Sequence, residues 1–255
     1  MTTTPSLATS GFDFRSHTGL LHRPAGERFH SRHGWLDSWH SFSFAGHYDP
    51  RWSGFGPLLV INDDTIRAGT GFGLHPHRHM EIITVMVDGE LTHRDSMGHT
   101  QTLSAGEVQV LSAGSGILHS EMNEGRGPCH LLQIWIEPES RDVIPAYDQC
   151  RYAIGSTWTP LIDPDRTGDA MSIHRPARLW RARPTADRTL TLPVAAGSLG
   201  WLQMIDGVVE VEVEGDQGKR TGRLVKGDGL GFQPGVIRSV TAVAPDADLL
   251  LFELR

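Results

Sequence analysis

The chain has 255 residues, and its 23 Lys and Arg stand against 30 Asp and Glu, for a formal charge of −7. No cluster of five basic residues occurs and no run approaches the roughly 20 apolar residues of a membrane span, so neither direct nucleic-acid binding nor a membrane segment is expected. Apolar residues at 38%, together with 29 Gly, are enough for a sizeable core and exclude disordered and fibrous classes.

Residues 1–16 are rich in Thr and Ser and hold no apolar stretch behind basic residues, so they are expected to be a flexible tail and not an export signal. A cytoplasmic location follows, and it agrees with only two cysteines, Cys129 and Cys150, which form neither a disulfide framework nor a thiolate zinc site. From there on, Gly and Pro punctuate short β-branched runs, and long amphipathic helical windows are missing, which predicts an all-β fold. Ile82–Val87, Asp88-Gly89 and Glu90–His93 read as a hairpin closed by a type I′ turn. A second strand pair is expected between Glu107–Leu111 and Leu131–Ile136, and Pro138–Pro145 reads as a linker.

The second half repeats the first faintly. Met204-Ile205-Asp206-Gly207 mirrors Met86-Val87-Asp88-Gly89 at an offset of 118, and Lys226-Gly227-Asp228 mirrors Ala105-Gly106-Glu107 at 121. A duplicated β-barrel is predicted, with the first domain over residues 17–140 and the second over 141–255. Under these offsets His75 and His77 map to Pro193 and Ala195, and His119 and Glu121 to Val240 and Ala242. The second barrel is thus expected to lack ligands and to brace the first.

Of the 14 histidines, 13 lie at or before His130, so histidine chemistry belongs to the first barrel. Side chains at i and i+2 of a strand share a face, which lets His75 and His77 aim together from one strand, and His119 and Glu121 from another. Three neutral imidazoles and one carboxylate suit a single Fe(II), Mn(II), Ni(II), Cu(II) or Zn(II) ion, and ligand type alone does not choose among them. Gly69, Gly71 and Gly73 before the first pair, and Gly114 and Gly116 before His119, allow the sharp turns that bring both segments to one mouth. Gly69–Gly73 is not followed by the Gly-Lys-Ser/Thr of a phosphate loop, and Ser112 and Ser115 form no nucleophile elbow. His40 is a candidate for the pocket or for support of the ligands, and Trp35, Trp39, Phe42 and Phe44 read as core.

Gly69, His75, His77 and Glu81, together with Gly114, Gly116, His119 and Asn123, resemble the two motifs of the cupin superfamily. The stretches His75-Pro76-His77-Arg78, Glu90–Ser96, Ala113–Glu121, Gly34-Trp35-Leu36, His40–Phe44 and Tyr48-Asp49-Pro50 narrow the likeness to the pirin family over about residues 32–140. The resemblance implies two tandem cupin barrels, of which only the first holds a metal. It also implies that the carboxylate ligand is Glu121, two residues after the third histidine, where general cupins use the Glu81 position. His79 departs from the pattern and is expected at the pocket edge or in solvent.

Family resemblance further implies Fe(II) as the first candidate ion, with Ni, Mn, Cu and Zn as alternatives. Its implied activity is a quercetin 2,3-dioxygenase reaction, in which a flavonol and O₂ are the substrates, carbon monoxide is released, and Glu121 accepts the substrate's proton. A different class, a redox-sensing iron protein that binds a protein partner, is the alternative, because vertebrate pirin is a nuclear co-regulator. The protein is expected to be a monomer.

Overall fold

A computed structural model describes residues 12–215 and 218–255, and residues 1–11 of the expected tail lie outside this range. Among the described residues the regular structure is 21 strands and three single turns of 3₁₀ helix, numbered here in chain order. The first barrel pairs a seven-stranded sheet with a four-stranded one. The larger runs β12 (Ala146–Arg151), β9 (Glu107–Ser112), β6 (Glu81–Asp88), β11 (Cys129–Ile136), β4 (Leu58–Ile66), β3 (Leu36–His40), β2 (Phe29–Arg32). The smaller runs β5 (Thr70–His77), β10 (Ile117–Asn123), β7 (Glu90–Asp95), β8 (Thr100–Ser104).

The second barrel repeats the plan. Its larger sheet is β1 (Leu20–Arg23), β19 (Gly229–Phe232), β16 (Leu199–Asp206), β21 (Asp248–Leu254), β14 (Arg178–Ala182), β13 (Thr159–Ile162). Its smaller sheet is β15 (Thr189–Thr191), β20 (Ile237–Ala242), β17 (Val208–Gly215), β18 (Gly218–Val225). The strand pairs are antiparallel, and the expectation of two tandem cupin barrels holds.

The two larger sheets pack face to face, and this explains why β6 is buried from Glu81 through Met86 without alternation. Ile83 and Val85 join Ile61, Leu132 and Ile134 in a core shared with Leu179, Trp201, Leu250 and Phe252 of the second barrel. Ile82, Thr84 and Met86, on the opposite parity, turn into the first barrel. The second barrel fills its own interior with Leu190, Val209, Val211, Val213, Leu230, Ile237 and Val240. Arg181, fully buried, is bidentate to Asp248 at 2.9 and 2.7 Å and donates to the Met86 carbonyl at 3.3 Å, tying the barrels together.

Several expectations are corrected. The Asp88-Gly89 turn does not close a hairpin: β6 lies in the larger sheet and β7 in the smaller one, and the turn carries the chain across the barrel's edge. Gly89 has φ +73°, and a Cβ there would sit 2.8 Å from Cys129 Cα, so backbone closeness at the corner demands glycine as much as the dihedral does. Gly207, 118 residues on, repeats both features, with φ +71° and Ala247 Cα at 2.7 Å. Strands β9 and β11 are not partners either, because both flank β6.

The chain also trades strands between barrels. β1 pairs with β19 of the second barrel, whereas β12 pairs with β9 of the first, so the expected boundary at 140/141 does not follow the sheets. Within the expected tail, residues 12–16 are fixed: Phe14 is buried in the second barrel's core, against Gly222. Residues 138–145, expected as a linker, lie over the 113–116 turn, where Ser115 N–H donates to the Val143 carbonyl at 2.9 Å. A Cβ on Gly114 would run into that same carbonyl, which accounts for the glycine.

Candidate metal centre

Strand β5 carries His75 and His77 and pairs with β10, which carries His119 and Glu121. His119 lies opposite His75, and between His119 and Glu121 the register slips by one residue in a β-bulge, so that Glu121 lies opposite Phe72. The three imidazoles converge. Their ring centroids are 4.4 Å apart for His75 and His119, and 4.8 Å for both His75–His77 and His77–His119. One nitrogen from each lies within 4.8 Å of the others, close enough for a single ion.

The donor atoms are prepared chemically. His75 donates from Nδ1 to the Gly73 carbonyl at 2.7 Å, which leaves Nε2 with its lone pair. His119 is fully buried, and its Nε2 has no protein partner. Burial pushes the His119 imidazole down to about 3, with His75 and His93 adding to the effect, and pushes His77 down to about 4, helped by His119 and His75. Both rings are therefore neutral at neutral pH, as metal ligands must be. The site fits a divalent ion on these grounds.

Glu121 reaches from the smaller sheet across to the larger one. Its Oε1 accepts from Gln109 Nε2 at 2.7 Å and Thr84 Oγ1 at 3.3 Å, and its Oε2 accepts from Gln133 Nε2 at 2.7 Å. These three partners form a row across β9, β6 and β11, and in register the row continues through Asn62 on β4 to His40 on β3. The single Thr84 hydroxyl proton is shared with Gln133 Oε1 at 2.8 Å, so Gln109 and Gln133 carry most of the clamp and about two of the carboxylate's roughly four acceptor positions stay open.

The cavity beside this cluster measures about 490 Å³. Trp35, Phe44, Phe72 and Trp135 line it, with Trp135 edge-on to His77 at 5.0 Å. Its far wall is polar: His40 Nδ1 meets Asn62 Oδ1 at 2.7 Å, His40 Nε2 meets Ser31 Oγ at 2.9 Å, and Ser38 donates to Asp64. Burial raises the Asp64 carboxyl to about 7 against the lowering effect of the Ser38 hydrogen bond. The same burial lowers His40.

Of the residues singled out from sequence, His75, His77 and His119 meet, and Glu121 shares the cavity's lining with His75 and His77. Glu81 does not join them. It is fully buried elsewhere, with Oε2 accepting from Ser112 at 2.6 Å. His79 leaves the strand, because β5 ends at His77, and with φ +55° its ring turns to the Arg141 carbonyl at 3.0 Å. His40 lies in the pocket wall, as do Trp35 and Phe44, for which the sequence predicts the core. Asn123 is structural: Nδ2 donates to the carbonyls of Ile66 and Gly127, and Oδ1 accepts from Gly125 N–H.

Sequence reasoning missed Thr84, Gln109, Gln133 and His93. A signal was present for the first three, each a polar residue within an apolar run of its strand, whereas β7 is polar almost throughout and hides His93. Strand pairing equates Glu121 with Val240 and His119 with Ile237 of the second barrel, in place of the expected Ala242 and Val240.

Comparison with known proteins adds a family. Residues 22–136 match the pirin profile and residues 161–254 the profile described as the quercetinase C-terminal cupin domain. Quercetin 2,3-dioxygenase of Escherichia coli K12 is 41% identical over 91% of this chain and 97% of its own. The chain belongs to the pirin family. Another pirin-like protein, from Caulobacter vibrioides, is 38% identical over 87% of this chain and 93% of its own. Among solved structures, E. coli YhhW superposes with a TM-score of 0.85 at 40% identity, covering 92% of this pirin and 97% of YhhW. The bacterial pirin YhhW in complex with nickel(II) matches with a TM-score of 0.83 at 40% identity, covering 92% and 98%.

Proposed function

We propose that this pirin is a metal-dependent dioxygenase that cleaves flavonols of the quercetin type with O₂ and releases carbon monoxide, using His75, His77, His119 and Glu121 to hold one divalent ion. The observation that carries this reading is three converging imidazoles, with His77 and His119 held neutral by burial, and a clamped carboxylate beside an aromatic-walled cavity of about 490 Å³. Support comes also from the relatives named quercetin 2,3-dioxygenase, and the nickel(II) complex of YhhW supports a first-row ion at such a site, with Fe(II) first and Ni, Mn, Cu and Zn as alternatives. Bound there, such an ion would supply Lewis acidity toward a chelating enolic oxygen and, if redox-active, access to O₂.

The chain's own residues do the rest. Trp35, Phe72, Phe44 and Trp135 present flat apolar surfaces to a multi-ring aromatic, and their closure around it keeps water from the reacting face. Glu121 takes the proton of the flavonol's 3-hydroxyl, and the row of Gln109, Thr84 and Gln133 holds the carboxylate in place as its charge falls. Asp64, on the far wall, offers a polar partner to phenolic hydroxyls at the substrate's other end, and His40, held by Asn62 and Ser31, braces that wall.

Oxygen consumption and carbon monoxide release are the test. Protein reconstituted with Fe(II) or Ni(II) is expected to consume O₂ and evolve CO with quercetin, and Glu121→Gln to lower the rate about 10²- to 10⁴-fold. Absence of both signals with every one of the five ions overturns the enzymatic reading.

A further inference from the structure

Asp95 ends β7 next to the cluster, and its side chain is fully buried. Its Oδ1 accepts from the backbone N–H groups of Met97 at 2.9 Å and His99 at 3.1 Å. Its Oδ2 faces His93 Nε2 at 3.0 Å and His99 Nδ1 at 2.9 Å. Burial alone would raise this carboxyl, but the bonds from His93 and His99 outweigh it and hold Asp95 below the usual range, so it is ionised at neutral pH. An ionised carboxylate only accepts, which means that His93 donates from Nε2.

The consequence passes inward. His93, donating from Nε2, turns its Nδ1 to His119 Nδ1 at 3.5 Å, so one of these two nitrogens donates and the other accepts. A proton on His119 Nε2 would have no acceptor, so His119 carries its proton on Nδ1, where His93 accepts it, and keeps the lone pair on Nε2. That Nε2 is the buried atom with no protein partner. Tyr147 stacks on both His93 and His99, at 4.6 and 5.2 Å, and fixes the ring planes.

We infer that Asp95, acting through His93, is a positioning pair that holds His119 in the Nδ1–H tautomer, so that Nε2 is the atom presented to the metal. This rests on the ligand set proposed above. His75 reaches the same state with one bond to a backbone carbonyl, whereas His119 relies on two side chains in series. The arrangement extends the usual carboxylate–histidine support of a metal ligand by one imidazole. The rival geometry makes His93 Nδ1 itself a ligand beside His119 and Glu121, whose donor atoms also lie within 4.8 Å of one another.

Long-range ¹H–¹⁵N spectra of the full chain labelled at histidine nitrogen, metal-free and loaded with Zn(II), separate these possibilities. In the metal-free wild type, His119 is expected as the Nδ1–H and His93 as the Nε2–H tautomer. Zinc is expected to shift His119 Nε2 and to leave His93 Nδ1 an unmetallated acceptor. In Asp95→Asn the amide oxygen keeps the two backbone N–H bonds, so the NH₂ group faces the imidazoles. His93 must then accept at Nε2 and carry its proton on Nδ1, which forces the proton of His119 onto Nε2.

Zinc affinity in Asp95→Asn, read by competition with a chromophoric chelator, is expected to fall about 10- to 100-fold while the melting temperature of the metal-free protein stays within a few degrees. If Asp95→Asn does not fold, His93→Phe, which preserves the stack on Tyr147 and removes the acceptor, is expected to show the same fall with His119 in mixed tautomers. Unchanged affinity and unchanged His119 tautomer in a folded variant overturn the inference, as does a zinc shift on His93 Nδ1. Wild-type protein with the expected tautomers but no zinc binding upholds the relay and sinks the metal reading instead.

Discussion

At the scale of single residues, the site works by keeping imidazoles neutral in a place where protonation is costly. His77 and His119 lie below their ordinary value in the folded chain, at about 4 and about 3, so the unfolded chain binds protons first as pH falls. Stability that is fully present above about 6.5 is therefore lost from the metal-free protein as pH drops toward 4. The urea midpoint of metal-free protein is expected to decline between pH 7 and pH 5, and less so in His77→Gln. Equal slopes in the two proteins would show that His77 does not titrate as its burial dictates.

The candidate cluster of His75, His77 and His119 was legible because i, i+2 pairing is a property of any strand and needs no tertiary information. Thr84, Gln109 and Gln133 were not legible as a group, because they become neighbours only through the registers of three strands distant in sequence. Parity alone left Glu81 and Glu121 open, and it was the family resemblance that favoured Glu121. Both share sequence parity with a histidine, but Glu81 sits three registers from the polar row, with the opposite parity on β6, and is satisfied by Ser112.

At the scale of elements, turn chemistry predicted the turn and misplaced its partners. Asp88-Gly89 supplies a positive φ as expected, yet a barrel uses such a turn at a corner between sheets as readily as at the tip of a hairpin. What separates the two is the backbone of β11, which sequence near the turn does not contain. Gly89→Ala is expected to destabilise the protein by roughly 2–4 kcal/mol, the sum of a left-handed residue with a side chain and a contact with backbone that cannot swing away. Chemical denaturation measures it, and a loss below 0.5 kcal/mol would mean that the corner relaxes freely. The bulge in β10 was equally hidden, since it adds no residue type that marks it.

At the scale of the molecule, duplication was legible from two short matches, and the architecture follows it except for β2, which has no counterpart in the second barrel's six-stranded sheet. What could not be read was the exchange of edges, because β1 and β12 are ordinary short strands whose partners lie about 200 and about 40 residues away. Filling the second barrel with apolar side chains, Phe14 among them, makes it a packed wall behind the first barrel's larger sheet. The row that clamps Glu121 is built on that sheet, so the wall contributes to the site without touching it.

Traded edges also make this pirin a natural split protein. Fragments 1–140 and 141–255, produced separately, each expose a sticky flank that the missing half was built to cover, so each is expected to aggregate alone. Expressed together they are expected to copurify as a soluble one-to-one pair that again takes up one metal ion, a complementation that two self-contained barrels joined by a tether would have no reason to show.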